Sequence, residues 1–236
     1  MFILETGTNH LGKIQKAEKF INFFIKSSFK KITFMCQSEL WYKKKLKSGK
    51  NFKLPKSFYI KKLKLLHKKN KKLGLSVCDT ETYNELKDVN FDFYKLLSVS
   101  INNYKLIEML KKKNKPVYIS SGFNASLSQI RKCLKKFGNY KKITLLHTPM
   151  VKKHNELNFK KINHLKKKFK INIGYSNHFF DFKTLFALTS YNLSAIMLYI
   201  KPSDDIKIKY PDDNHAIRMN KLEELKKNYE NILKSH

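Results

Sequence analysis

Five short stretches of this chain gather polar side chains that could act together. Glu5-Thr-Gly-Thr-Asn9-His10-Leu-Gly12 follows the first apolar run. Lys95-Leu-Leu-Ser98, Ser120-Ser121-Gly122, His147-Thr148 and Gly174-Tyr-Ser176-Asn177-His178 each close a later one. Lysine, serine hydroxyls and backbone amides beside glycine suit a phosphate or carboxylate, because they offer a cation and several donors to one anion. Each residue alone has a plainer use. A histidine at a strand end more often satisfies a structural hydrogen bond than a ligand. Glu5 could simply pair with a lysine inside the fold, and Lys95 could snorkel from an apolar rim. The argument for a site is the repetition of such residues at the same end of five apolar runs.

Those runs belong to a regular alternation. Strands are expected at Phe2–Glu5, Lys31–Phe34, Leu75–Cys78, Phe93–Leu97, Val117–Ser120, Ile143–His147, Ile171–Gly174 and Ala195–Ile200. Helical periodicity fills the intervals: Ile14–Ile25, Lys56–Lys71, Tyr83–Lys87, Lys105–Lys113, Ser126–Lys136, Phe159–Phe169, Phe182–Tyr191 and Lys221–Leu233. Asn124 and Ser126 offer caps for the fifth helix, and Gly74 is expected to stop the second. Lys44–Lys72 reads as a long strand-to-helix connection with a basic helix, preceded by Trp41 and Tyr42. Eight such units in 236 residues predict a single (β/α)8 barrel, whose chemistry gathers at the C-terminal ends of the strands. Glu5, Lys95, Ser120, His147 and His178 should then converge at one mouth. No Gly-x-Gly-x-x-Gly or phosphate-loop motif follows any strand, which removes support for the usual dinucleotide and nucleoside-triphosphate folds.

Composition narrows the classes further. Hydrophobic residues make up 42% of the chain, enough for a large core, and 7 Gly with 5 Pro argue against a linker-rich protein. No apolar run reaches the ~20 residues of a membrane span, and Met1–Glu5 lacks the basic start of a signal peptide. Cys36, Cys78 and Cys133 have no metal-ligand spacing and read as free thiols of a reducing cytoplasm. The formal charge of +32 invites a nucleic-acid reading. Its distribution speaks against one. Lysine is spread over every expected helix, and arginine, the usual bidentate reader of guanine and phosphate, occurs only at Arg131 and Arg218.

Taken in order, the polar stretches resemble the motifs of the sialic acid (N-acetylneuraminate) synthase family. Glu5-x-Gly-x-Asn9-His10-x-Gly12 is similar to E-I-G-x-N-H-x-G. Tyr94-Lys95-Leu-Leu-Ser98 with Asn102-Asn103 resembles Y-K-I-x-S…N-N, and Lys115–Gly122 resembles K-P-x-x-x-S-T-G. Leu145-Leu-His147-Thr148, Asn158, Gly174–His178 and Pro211-Asp212 match L-L-H-C, the N-L element, G-Y-S-D-H and the late P-D. The resemblance implies a barrel that condenses phosphoenolpyruvate with an N-acyl amino sugar to a nine-carbon sialic-type acid, using Mn2+ or Mg2+. It also implies a small antifreeze-like domain after the barrel that reaches the partner subunit's active site, and so a homodimer; this chain stops after its last helix. On the same basis Glu5 and His178 are the catalytic candidates, and His178 the metal ligand. Asn9, His10, Lys95, Ser98, Ser120, Asn158 and Ser176 are the substrate-binding candidates.

Three departures from the motifs bear on activity. The strand-two lysine of the family falls on Thr33, and the carboxylate that contacts the sugar falls on Ser100. Where the family has E-K-H-F on strand eight, this chain reads Leu198-Tyr199-Ile200-Lys201, so the second metal histidine is expected to be replaced by Ile200 and the metal to bind weakly. The alternative is a catalytically degenerate barrel that binds a phosphate, a sugar acid or a synthase partner.

Overall fold

The computed structural model describes residues 1–45, 51–122, 125–204 and 207–235. Eight parallel strands form the barrel: β1 Phe2–Glu5, β2 Lys31–Cys36, β3 Lys72–Val77, β4 Phe93–Leu96, β5 Val117–Ser120, β6 Ile143–His147, β7 Asn172–Asn177 and β8 Ile196–Lys201. They pair in sequence order, and β1 pairs with β8 to close the ring, with Glu5 beside Thr33 on one side and Tyr199 on the other. The helices are α1 Ile14–Lys26, α2 Glu39–Lys45, α3 Lys56–His67, α4 Thr80–Leu86, α5 Tyr104–Lys112, α6 Leu127–Phe137, α7 Lys160–Phe169 and α8 Leu222–Lys234; the 182–191 stretch is 3-10 helix. A two-residue strand, β9 Ile217–Arg218, lies against Ile200 and Lys201 of β8.

Alternation along each strand sorts residues into two layers. Outward residues such as Leu4, Phe34, Leu75, Leu96, Leu145 and Leu198 join helix residues in one large core. Inward residues Ile3, Phe93, Tyr118, Leu146, Ala195 and Met197 form a small apolar plug near the N-terminal end of the barrel. Two residues further along the strands, the interior becomes polar. Local signals set the helix starts. Asp79 and Asn103 cap α4 and α5, and Ser126 with Gln129 forms a capping box on α6. The other expected cap, Asn124, lies outside the described residues, as do residues 46–50 of the long connection.

Gly74 does not stop a helix. The chain turns after α3 at Asn70, which adopts φ 52°, and Gly74 sits inside β3. A Cβ there would stand 2.3 Å from the Phe93 ring, so the glycine makes room for the plug. Gly74→Ala is expected to destabilise the protein by roughly 1–3 kcal/mol, read from the urea midpoint, because the closed ring gives Phe93 nowhere to move. Two further elements escaped the sequence reading. α2 is only seven residues long, and β9 only two, too short for periodicity to register.

Candidate functional site

The polar layer above the plug is built on Glu5. Its Oε1 accepts the Gly7 amide at 3.1 Å, and its Oε2 accepts the Ser76 hydroxyl at 2.5 Å and the Lys95 ammonium at 3.3 Å. Thr33 completes this floor through a 3.0 Å contact with Ser76. Glu5 is 0% and Lys95 1% exposed, so this is an ion pair sealed from water. Burial lowers the Lys95 pKa, against the pull of Glu5 and Asp212.

Tyr199 lies over the pair. Lys95 donates to its hydroxyl at 3.3 Å, and the ammonium sits 4.8 Å from the ring centre. The ring also meets the His178 ring at 4.8 Å and the His215 ring at 4.7 Å, edge to face, and the two imidazoles are 4.9 Å apart. His215 and Asp212 arrive on the segment that leads into β9. Asp212 Oδ2 and His215 Nε2 are buried without a hydrogen-bond partner. Burial, reinforced by Glu5, raises the Asp212 pKa to about 7. Burial holds His215 down to about 4 and His178 well below its ordinary value, with Lys95 adding to both. Gly7 adopts φ 52°, and a Cβ on it would stand 2.0 Å from Asp212 Oδ2, so the first motif glycine makes room for that carboxyl.

A second polar group crowns β4, β5 and β6. Ser98 and Ser120 hydroxyls are 2.7 Å apart, Ser120 donates to Thr148 at 2.9 Å, and the Gly122 amide donates to Ser98 at 2.9 Å. Ser176 is fully buried with an unpartnered hydroxyl.

Several expected residues serve elsewhere. His147 does not join the mouth: its Nε2 meets the Leu157 carbonyl at 3.0 Å and its ring packs on Tyr175 in the outer core. Position 147 follows the inward Leu146, so it faces the helices. His10 packs on Phe34 and accepts the Gly12 amide at 3.1 Å, a role in shaping the first loop. Asn9 is a strut: it donates to the Ile200 carbonyl at 2.9 Å and accepts the Asp212 amide at 3.0 Å. Ser100 donates to the Cys78 carbonyl. Asn158, at φ 46°, lines a separate open groove of about 590 Å³ with Ser126, Lys160, Lys161 and His164.

The reading of Ile200 is corrected. Its side chain is in the helix-facing core with Leu198, so a histidine there would point away from the mouth. Residues two apart share a face. Met197 is inward, and Tyr199 and Lys201 follow it on the interior side. The E-x-H pair of the motif therefore falls on Tyr199 and Lys201, and the Lys201 ammonium is held by Asp213 at 2.6 Å. Among the described residues no three His, Cys, Asp or Glu side chains are placed to hold a metal ion. The mouth does not fit the divalent metal that the resemblance implies. His215 and Tyr199 are the residues that motif reasoning missed, His215 because only β9 brings it over the barrel.

Comparison with known proteins follows the same lines. The NeuB family description matches residues 7–236. The chain is 30% identical over 203 residues to the N,N'-diacetyllegionaminic acid synthase of Campylobacter jejuni, a match that covers 75% of this chain and 60% of that protein. It thus spans 60% of that relative's length. Among solved structures, an N-acetylneuraminic acid synthetase from Leptospira borgpetersenii, in complex with citrate, superposes with TM-score 0.89 at 23% identity, over 99% of this chain and 84% of that one. A truncated 3-deoxy-D-arabino-heptulosonate 7-phosphate synthase from Thermotoga maritima superposes with TM-score 0.74 at 13% identity, over 99% and 87%. These two likenesses establish the barrel fold. With nearly its whole length matched, the chain belongs to the NeuB family.

Proposed function

We propose that this protein is a sialic-acid-synthase-type enzyme of surface carbohydrate biosynthesis, condensing phosphoenolpyruvate with an N-acyl amino sugar. The observation that carries the reading is the buried Lys95 ammonium on β4, together with the Ser98–Ser120–Thr148 hydroxyls and the Gly122 amide at the ends of β4, β5 and β6. That group supplies one cation and several short-reach donors, the needs of a phosphate ester. In the reaction a carbon–carbon bond forms between the enol carbon and the sugar aldehyde, water adds to the neighbouring carbon, and phosphate leaves. Glu5 holds the Lys95 amine inward through a 3.3 Å contact. The buried Asp212, with its pKa near neutrality, is the group able to exchange a proton there. No step is assigned to a metal. Three unpaired buried cysteines support the cytoplasm as its compartment, and no helix among the described residues is long and apolar enough to cross a membrane. A homodimer is part of the same proposal.

The test is phosphate release from phosphoenolpyruvate with a panel of N-acyl hexosamines and Mn2+. Slow release that requires an acceptor and disappears in Lys95→Met supports the reading. Release independent of the acceptor, or none with any acceptor, overturns it. A second reading, a barrel that binds the anion without turnover, draws on the missing metal donors and predicts binding with no phosphate released.

A further inference from the structure

We infer that Tyr199 gates access to this mouth: it closes over Lys95 in the place a ligand would take, and an anion reaches the lysine only when the ring turns away. The inference rests on the synthase reading only for the identity of that anion.

Tyr199 is on β8, the strand whose inward face continues from Met197 in the plug. It is 4% exposed. The one buried cation a bound anion would use, Lys95, is engaged by it. Its hydroxyl takes a donor from Lys95, and its ring face takes the charge. Its two edges meet His178 and His215, and its Cε1 lies 3.1 Å from where a Gly7 Cβ would be. A bulkier residue at position 7 would therefore strike the ring as well as Asp212.

Charge points the same way. Lys95 is already balanced by Glu5, and Asp212 lies close enough to act on it. The next inward cation on β8, Lys201, is held by Asp213. In the closed state a phosphate would meet a neutral phenol over a neutralised pair. Turning Tyr199 out removes one acceptor and the ring face from Lys95. That frees donor capacity on the ammonium. Closure thus lowers affinity by the fraction of molecules that are open.

The experiment compares the wild type with Tyr199→Ala and with Tyr199→Val, which removes the ring yet keeps a strand-forming residue should the alanine variant fail to fold. Access to Lys95 is read by brief reductive methylation with formaldehyde and mass spectrometry of the Lys95 peptide. Binding is read by calorimetry with phosphoenolpyruvate and with inorganic phosphate. Lys95 should be protected in the wild type and methylate at least about tenfold faster in the ring-free variants, with affinity for phosphoenolpyruvate rising by a similar factor. The gain should vanish when Lys95→Met is added. Tyr199→Phe, which keeps the ring, should stay close to wild type in both readings. Equal methylation of Lys95 in wild type and ring-free variants overturns the inference. Lys95 exposed in the variants with no anion bound upholds Tyr199 as the closure and overturns the phosphoenolpyruvate reading instead.

Discussion

Lys95→Met is expected to destabilise the barrel by roughly 3–5 kcal/mol, among the largest losses any single change here would cause. The cause is what it leaves behind. Glu5 would remain fully buried with only the Gly7 amide and the Ser76 hydroxyl facing its charge. Glu5→Gln strands the ammonium in the same way, beneath Tyr199. The double variant Glu5→Gln/Lys95→Met should regain most of the loss, since it buries no net charge and Met fills the lysine stem's volume. Urea unfolding of the four proteins reads this as a coupling. Single variants within about 1 kcal/mol of wild type would mean that water reaches the pair, and that the mouth is open rather than sealed.

Acid should unfold this protein at a pH where most proteins are stable. His10 and His147 are buried, and desolvation holds both pKa values at about 4 instead of 6.5. Above pH 6.5 the rings are neutral in both states, and pH has no effect through them. As pH falls from 6.5 towards 4, the unfolded chain takes protons that the folded rings refuse, so stability is lost across that window. Each ring accounts for on the order of 3 kcal/mol by its lower end. His178 and His215 act in the same direction. Asp212 acts oppositely. Its folded pKa is raised to about 7 from 3.8, so its stabilising share is whole below 3.8 and is lost as pH rises through 7. Against several histidines it does not reverse the slope. The urea midpoint should therefore fall steeply between pH 6.5 and 4.5, with net proton uptake on unfolding. Asp212→Asn should gain on wild type as pH rises from about 4 to 7 and hold that gain above. A midpoint flat from pH 8 to 5 would show that His10 and His147 are not buried as described.

The barrel was legible because it is written in repetition. Each of the eight strands is a short apolar run, and five carry polar residues at the same end, so many weak signals point the same way. β1, β5 and β6 fall on their expected bounds. In the site, two pairs among the candidates were legible: Glu5 with Lys95, which also meets the plainer alternative of a lysine partner for Glu5, and Ser98 with Ser120. The site was not legible in facing. His147 and Ile200 sit in motif stretches yet look outward, and a linear string of letters does not mark the strand face until an inward anchor such as Met197 is known. Nor was it legible where distant segments meet. His215 and Asp212 depend on a two-residue pairing at β9, and Tyr199 reads as an ordinary strand aromatic until its contacts with Lys95 and two imidazoles are seen.

The seam between β1 and β8 also has a history in time. Asn9 is bonded to the carbonyl of a residue 191 positions later, and it also holds the Asp212 amide. On a ribosome that extends the chain by roughly 5–20 residues each second, β1 waits on the order of ten to forty seconds for that neighbour. During that interval its outer edge, Phe2-Ile3-Leu4, is an unpaired apolar strand in a chain whose many lysines repel one another. Like charge on every copy, formally +32, disfavours contact between nascent chains over that interval.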